Sequence, residues 1–495
     1  MTIHPNERNS GQGRHLLDSI LSGSESQCLE TKRVSGKMVV GKALETVCAF
    51  ANARGGILCL GVEDASKAQG KDRLYGIDEN PKAIDELMRK LETDFVPKIR
   101  DIKILRLSCA LRDGERGELV MINVPQSEQV HSAPDDRTWT RGEDSNREMS
   151  ADEIMELSYR RGVRSVESEP VDVDFDLLET ETWRLYRHGR GLANTGIRKQ
   201  LYRIGLARKV NNALRPVRAA VLLFADHPGA LMAATGTRAD VRMFRYRGNA
   251  IRSGETTNLM KPPRTLSGPI HRLIAQTHAH VLGELVEGPA SGFRTAHPYP
   301  ERVIKEAITN ALIHRDYRLN QDVQIRIFDN RIEVFSPGLF PGRITAASIR
   351  TARYFARNPL IASNLREFPD PPNMDAGEGV HMMFHLMQAG NLYPPQYREL
   401  RDQTRQAIAV TLLSEERSPL WERVSVWIDR HGPISNHVLR RITALDAPGA
   451  SRLLKRWVGQ GLLKGDPAQG KRNRLYHKPV TEVGDAAGLI IQSPE

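Results

Sequence analysis

The longest uninterrupted apolar run in this chain, AAVLLFA at 219–225, ends after seven residues. A helix that crosses a bilayer needs roughly 20, so the chain has to bury its hydrophobic side chains by packing short elements against one another. The run itself reads as a buried strand. Spread over 495 residues, 40% of them hydrophobic, such packing calls for about three or four domains. The opening MTIHPNERNSGQGRH is polar and lacks the apolar segment of a signal peptide, which sets the expectation of a cytoplasmic protein. Four cysteines, Cys28, Cys48, Cys59 and Cys109, stand in no C-x-x-C spacing and read as small buried hydrophobes. Lysine and arginine number 71 against 60 aspartate and glutamate, and the resulting charge of +11 favours a polyanionic partner such as RNA or DNA.

The stretch SESQCLETKRVSG at 24–36 sets Glu25 and Glu30 five residues apart and Lys32 two beyond. On a helix that spacing is a rotation of about 140°, which separates the two carboxylates. On a strand Glu30 and Lys32 share a side, and Glu25 can reach it from the preceding turn. Two acids and a base so placed can hold a divalent cation and neutralise a phosphate; they can equally be an ordinary ion pair on a strand edge. Downstream, Leu44, Val47, Cys48 and Ala51 fall at helical spacing, Gly55 and Gly56 stop the helix, and Ile57 to Val62 follow as a buried strand. Asp64 sits where that strand ends, either at a cleft or as a loop cap.

The pattern ES-x-x-LE-x-K, then AFAN-x-x-GG-x-x-x-x-GVED, then YGI and TWTRGEDSNREMSADEIMEL, resembles the AlbA-like domain shared with the Schlafen proteins. The resemblance implies a domain at 15–165. In that family nucleases cut structured RNA with three acidic residues, and the matching positions here are Glu25, Glu30 and Asp64, with Lys32 as accompanying base. It also implies Mg2+ or Mn2+ held by the three carboxylates, which is the charge neutralisation that phosphodiester hydrolysis requires.

Acidic SVESEPVDVDFDLLETET at 165–182 lacks sustained apolar periodicity and reads as a linker to an intermediate α/β domain at 170–295. There TWRLYRHGRGL reads as a helix and DVRMFRYRG as a strand whose Arg242, Arg245 and Arg247 line a phosphate groove or only a solvated face. In YPERVIKEAITNALIHRDY, Val303, Ile304, Ala307, Ile308, Ala311 and Leu312 make one apolar helix face, and Glu306 and Asn310 are i and i+4 neighbours able to set a base beside a metal-ligating amide. The triplet HRD at 314–316 is not a kinase loop, because Gln321 stands where asparagine is needed and no Asp-Phe-Gly follows. No G-x-x-x-x-G-K-[ST] loop exists for a motor ATPase.

EAITNALIHRDY, VQIRIFDNRIEVFSPGLFPG, RNPLIA and GEGVHMMFHLM together resemble a divergent ATP-binding domain of the GHKL superfamily, at 296–412. The resemblance implies ATP as ligand, Glu306 as base, Asn310 as metal ligand, Gly338 in the nucleotide site, and Gly377 and Gly379 at a glycine turn beside the phosphates. Ser336 and Pro337 stand where a standard member has the aspartate that reads adenine, and Glu378 in the turn would repel an anion.

From 415 to 480 three helical stretches, LWERVSVWIDRHG, SNHVLRRITAL and GASRLLKRWVGQGLL, precede the basic hairpin KGDPAQGKRNRLYHK, a succession that resembles a winged helix-turn-helix. Ser451, Arg452, Lys455 and Arg456 would face a groove and Lys471, Arg472 and Arg474 would grip phosphate; the alternative is a module for dimerisation or packing. The expected class is therefore α+β multidomain, with an AlbA-like α/β domain, a GHKL-like α/β sandwich and a winged helix. The expected function is a metal-dependent Schlafen-like endonuclease acting on RNA, transfer RNA or single-stranded DNA in defence or stress response, working as a homo-oligomer such as a dimer. The alternative is a non-catalytic DNA-binding transcriptional regulator with a ligand- or ATP-sensing domain.

Overall fold

A computed structural model describes residues 21, 26–36, 38–193, 195–252, 258–286, 299–342, 344–352, 355–372, 378–401, 406–466 and 474–478. Glu25, Gly377, Lys471 and Arg472 lie outside the described residues. The chain divides at Arg164 and Ser165 into two compact units.

The first unit contains β1 (Leu29–Lys32), α1 (Val39–Asn52), β2 (Gly55–Leu60), α2 (Pro81–Thr93), β3 (Lys103–Ala110), β4 (Arg116–Pro125), the hairpin β5 (Trp139–Arg141) and β6 (Asn146–Glu148), and α3 (Ala151–Arg160). Its sheet has the order β1-β2-β4-β3, with β1 parallel to β2 and the other pairs antiparallel. Alternation along β2 and β4 sends Leu58, Leu60, Val120 and Ile122 into a core with Val47 and Phe50 of α1 and Leu87 of α2. Ile57, Cys59, Leu119 and Met121 form a smaller cluster on the opposite face. Gly55, at φ +80°, turns α1 directly into β2, and a Cβ on Gly56 would lie 2.6 Å from the Phe50 ring. Ser150 and Glu153 close α3 with a capping box, worth about 1 kcal/mol. Burial pushes the Cys48 thiol up to about 11 and Cys59 up to about 12, so both stay protonated at neutral pH.

The second unit runs through α4 (Glu181–Gly189), α5 (Ile197–Arg203), the hairpin β7 (Ala207–Val210) and β8 (Ala213–Pro216), α6 (Arg218–Phe224), β9 (Val241–Arg245), β10 (Arg264–Leu266), α7 (Ile270–Val286), α8 (Glu301–Ile313), β11 (Val323–Ile327), β12 (Arg331–Pro337), α9 (Pro359–Leu365), α10 (Gly379–Ala389), β13 (Gln396–Arg401) and β14 (Gln406–Leu413). It ends in α11 (Pro419–His431), α12 (Asn436–Thr443), α13 (Ala447–Gly459) and the short pair β15 (Lys464–Gly465) and β16 (Tyr476–His477). Its main sheet has the order β10-β9-β11-β12-β14-β13, with β9 and β11 parallel. One sheet thus draws strands from both sides of residue 295, where the sequence reading set a border. α8 packs against α7, α10 and β12.

Three expectations are corrected here. The run at 219–225, read as a strand, forms helix α6, all of whose residues are buried; a helix enclosed on every side is apolar all round, and so short a run carries no period to separate it from a strand. Residues 165–182, read as a linker, are packed into the second unit, with Val166, Glu167, Val171, Val173, Phe175 and Leu178 buried. Their apolar positions serve successive turns, which leaves no regular spacing. The row of arginines at 242–247 is not one groove, because Arg245 is buried and its Nη2 donates to Asp329 Oδ1 at 3.0 Å.

α11, α12 and α13 share a core of Trp421, Val424, Leu439, Leu454 and Trp457 that continues into Tyr393 and Leu413 of the sheet region. The Tyr393 hydroxyl accepts from Ser418 N at 3.2 Å and from Trp457 Nε1 at 3.3 Å. Ile434 bridges to Tyr476, which joins the hairpin to the turn between α11 and α12. No helix among the described residues is long and apolar enough to cross a membrane.

Glu167 is fully buried and accepts from Leu360 N and Ile361 N, each at 2.7 Å, at the start of α9. Burial outweighs these donors and pushes its carboxyl up to about 7. Between the ordinary glutamate range and pH 7 the folded state therefore keeps a proton that the unfolded chain has released, so this group's stabilisation is full at low pH and is lost as pH rises through that window. Thermal unfolding at pH 5 and pH 7.5 is expected to show wild type losing up to about 3 kcal/mol relative to Glu167→Gln over that range. A pH-independent difference would contradict it.

Candidate functional site

In the first unit, the parallel pairing of β1 with β2 brings their carboxyl ends to one edge of the sheet, where Gly61 N donates to Lys32 O at 2.9 Å. The loop carrying Asp64 begins at that edge. Arg73, fully buried, ties the two strands together by donating from Nε to Glu63 O at 2.8 Å and from Nη2 to Thr31 Oγ1 at 3.2 Å. Asp64 Oδ1 accepts from Ser66 N at 2.8 Å, and this backbone bond is the main cause holding its carboxyl below the usual range.

Glu30 lies deeper, at 6% exposure. Its Oε1 meets Lys32 Nζ, and its Oε2 is 2.5 Å from Arg141 Nη2. Arg141 also donates to the Ser26 carbonyl at 2.9 Å and to Asn146 Oδ1 at 2.8 Å, and Asn146 donates to Thr46 Oγ1 at 2.8 Å. Glu30 and Lys32 are thus brought together, with Arg141 as a third member. Removing one partner from a buried ion pair costs about 3–5 kcal/mol, so this network fixes the β5–β6 hairpin on α1 and β1. Among the described residues no group of three histidine, cysteine, aspartate or glutamate side chains is placed to hold a metal ion. Of the three carboxylates expected to hold Mg2+ or Mn2+, Glu25 lies outside the described residues, and both oxygens of Glu30 face cations.

In the second unit α8, β12, β14 and the start of α10 line a cavity of about 150 Å³ that is partly open to solvent. Its wall includes Ala307, Ala311, Val334, Phe340, Ile408 and Val410; its polar lining is Glu306, Asn310, His314, Ser336 and Tyr397. Asn310 Nδ2 donates to Glu306 Oε1 at 2.9 Å, as their i, i+4 spacing allows. The Glu306 carboxylate also presses on α10, for a Cβ on Gly379 would fall 1.8 Å from Oε1. Ser336 Oγ donates to Ala311 O at 2.8 Å, so this hydroxyl is spent within the fold. Burial, with the Arg357 charge, pushes His314 down to about 4 and keeps it neutral at pH 7. Burial and the Glu306 charge raise the Tyr397 phenol.

Glu306, Asn310 and Gly379 are therefore together, while Gly338 packs on Asp316, where its Cβ would be 2.8 Å from that of the aspartate. No lysine or arginine is among the described lining residues.

On α13, Arg452, Lys455 and Arg456 are exposed at i, i+3 and i+4 on one face. Arg456 Nη2 is 3.0 Å from Glu415 Oε2, and Ser451 Oγ accepts from Asn436 Nδ2 of α12 at 2.9 Å. Arg474 lies beside Gly465 in the hairpin. Sequence reasoning missed Arg141, although it stands inside a quoted motif, and missed Tyr397 and His314 as cavity residues. Only the intact TRGED stretch held a signal for the first.

Residues 25–150 match the family model described as "Schlafen, AlbA_2", and residues 320–408 match HATPase_c_4, described as "Putative ATP-dependent DNA helicase recG C-terminal". Each match spans less than half of the chain. No curated protein matches it. Among solved structures, the DIP2311 protein from Corynebacterium diphtheriae is similar at a TM-score of 0.39 and 16% identity, over 95% of this chain and 100% of that one. The chain carries a Schlafen AlbA_2 region followed by an HATPase_c_4 region.

Proposed function

We propose that this protein is a nucleic-acid-binding regulator: α11 to α13 with the β15–β16 pair act as a winged helix-turn-helix, α13 meets duplex DNA, and the cavity of the second unit takes an effector. The observation that carries this reading is the exposed face of Arg452 and Lys455 on the third helix of a three-helix group closed by a hairpin. Two cations at this spacing can each neutralise a phosphate, and the Ser451 to Asn436 bond sets the angle at which α13 is presented. Arg456, already held by Glu415, contributes less, and Arg474 of the hairpin supplies a further phosphate contact. The Schlafen AlbA_2 match agrees with a nucleic-acid partner. Fluorescence anisotropy with duplex DNA tests it. The Arg452→Ala, Lys455→Ala double variant is expected to bind about tenfold more weakly near 0.1 M salt, with the slope of log affinity against log salt reduced by about two. Point variants are the right probe because the module shares its core with Tyr393 and Leu413. Unchanged affinity and slope would remove the reading.

A second reading, a Mg2+- or Mn2+-dependent endonuclease acting on RNA, transfer RNA or single-stranded DNA, is favoured by one observation: the adjoining carboxyl ends of β1 and β2, with Lys32 and the Asp64 loop at one sheet edge. Glu30→Gln is a poor test, because it breaks a buried pair and would weaken the fold. Asp64→Asn is clean, since Asp64 is not in that pair. Incubation of labelled transfer RNA, single-stranded DNA and duplex DNA with manganese, magnesium or EDTA should show metal-dependent cutting that falls at least about a hundredfold in Asp64→Asn, on the order of 3 kcal/mol of transition-state stabilisation. Intact substrate under every metal would end this reading.

A further inference from the structure

The main sheet of the second unit has two unlike faces. On one, Val334, Ser336, Ile408 and Val410 meet α8 and line the cavity. Across the other, the register sets Arg242 of β9 and Arg398 of β13 at the two ends of one row, with Phe335 of β12 between them. Phe244, Arg326, Glu333 and Gln396 make the next row. The C-terminal helices cover the end of this face at Leu413, while Arg242, Phe244, Arg326 and Arg398 are half-buried. Charge here is unbalanced. Glu333 is held by Arg331 Nε at 2.7 Å, whereas Arg242, Arg326 and Arg398 meet no carboxylate among the described residues. Nε of Arg326, Nε of Arg398 and Nε2 of Gln396 are buried donors with no acceptor. The arginines also lie on aromatic rings: Arg326 is 4.5 Å from the centre of Phe335 and Arg242 is 5.4 Å from that of Phe244, which stacks on Tyr246 at 6.3 Å.

We infer that this sheet face binds single-stranded nucleic acid, with phosphates drawn to Arg242, Arg326 and Arg398 and bases stacked against Phe244 and the guanidinium planes. A buried donor without an acceptor costs stability until one arrives, and a phosphate supplies acceptors with charge of the right sign. Neighbouring strands lie about 4.8 Å apart, so Arg242 and Arg398, four strand steps from each other, stand roughly 19 Å apart. One phosphate cannot serve both, whereas a polynucleotide carries one at every residue. Rings and guanidinium planes are what unpaired bases stack on, and an acidic peptide brings no such plane. A duplex keeps its bases inside and cannot offer them to Phe244, so both the ligand and the elements differ from those of the duplex contact on α13. RNA and single-stranded DNA share this chemistry.

The test is fluorescence anisotropy on the full-length protein in EDTA, with labelled oligouridine, oligothymidine, an abasic strand of the same length and charge, and duplex DNA as probes. Wild type should bind both base-carrying strands, and the tighter of the two names the source. In the Arg242→Gln, Arg398→Gln double variant that affinity should fall about tenfold near 0.1 M salt, with the slope of log affinity against log salt reduced by about 1.4, as the loss of two phosphate contacts on a single strand requires. Duplex affinity should be unchanged in the same variant. Phe244→Leu should cost the base-carrying strands about tenfold at an unchanged slope and leave the abasic strand as it was. If the double variant does not fold, Arg398→Gln alone serves, because that side chain makes no hydrogen bond among the described residues, and the slope should then fall by about 0.7. Single-strand affinity that ignores these arginines, an equal effect of Phe244→Leu on the abasic strand, or equal loss of duplex and single-strand binding would overturn the inference.

Discussion

Asp316 is 3% exposed, and much of the second unit is arranged around keeping its charge satisfied. Burial opposes that charge, but bonds from Arg318 and the nearby Arg357 more than compensate and hold its carboxyl below the ordinary aspartate range. Arg318 Nε donates to Oδ1 at 2.9 Å and Arg357 Nη1 to Oδ2 at 3.1 Å. Arg357 also donates to Leu339 O, and Asp316 N donates to Pro337 O at 2.7 Å. The neighbouring Asn358 donates to Ile313 O at 2.7 Å and to Arg315 O at 2.9 Å. One carboxylate thus gathers the end of α8, the exit of β12 and the approach to α9. These are elements that frame or adjoin the cavity, so its shape depends on a buried charge.

That arrangement explains a triplet which in another setting would be catalytic. His314 lines the cavity, Arg315 is fully buried with Nη2 donating to Gln321 O at 2.5 Å, and Asp316 is the hub just described. Arg315 also stacks over the Tyr317 ring at 4.7 Å. Three polar residues in a row have three different duties because the chain turns there from helix to loop and sends successive side chains in different directions. A similar economy governs the first unit, where Arg141 neutralises Glu30 and anchors a hairpin with the same guanidinium.

The sequence made some of this legible and hid the rest for physical reasons. The Glu306 and Asn310 pair was readable because helical spacing alone brings i and i+4 together, and Glu30 with Lys32 because a strand alternates. The helix of 44–51 and its glycine stop were readable from local chemistry as well. What spacing could not reveal was partnership over long separations: Arg141 is remote in sequence from Glu30, and β9 and β11 lie far apart in the chain yet pair in one sheet. The strand assigned to 219–225 failed because full burial erases the contrast between faces on which periodicity depends. Residues 165–182 misled in the opposite sense. Their acidic composition suggested solvent, while one of those acids, Glu167, sits at the start of α9 with no exposure at all.

Gly379 gives the cavity a recognisable letter. An apolar wall tolerates exchange among residues of similar volume, so Val334 or Ile408 can drift without erasing the space they bound. Gly379 has no such latitude while Glu306 keeps its place, because a Cβ there would lie 1.8 Å from Glu306 Oε1 and the carboxylate would have to swing aside. Over evolutionary time the two positions are tied: a lineage that replaces the glycine must shorten or turn away the acid, and with it change the polar lining of the cavity. Among distant relatives a glycine opening the helix and a glutamate on the facing one would therefore persist together or disappear together, even where the surrounding aliphatic residues have all been exchanged.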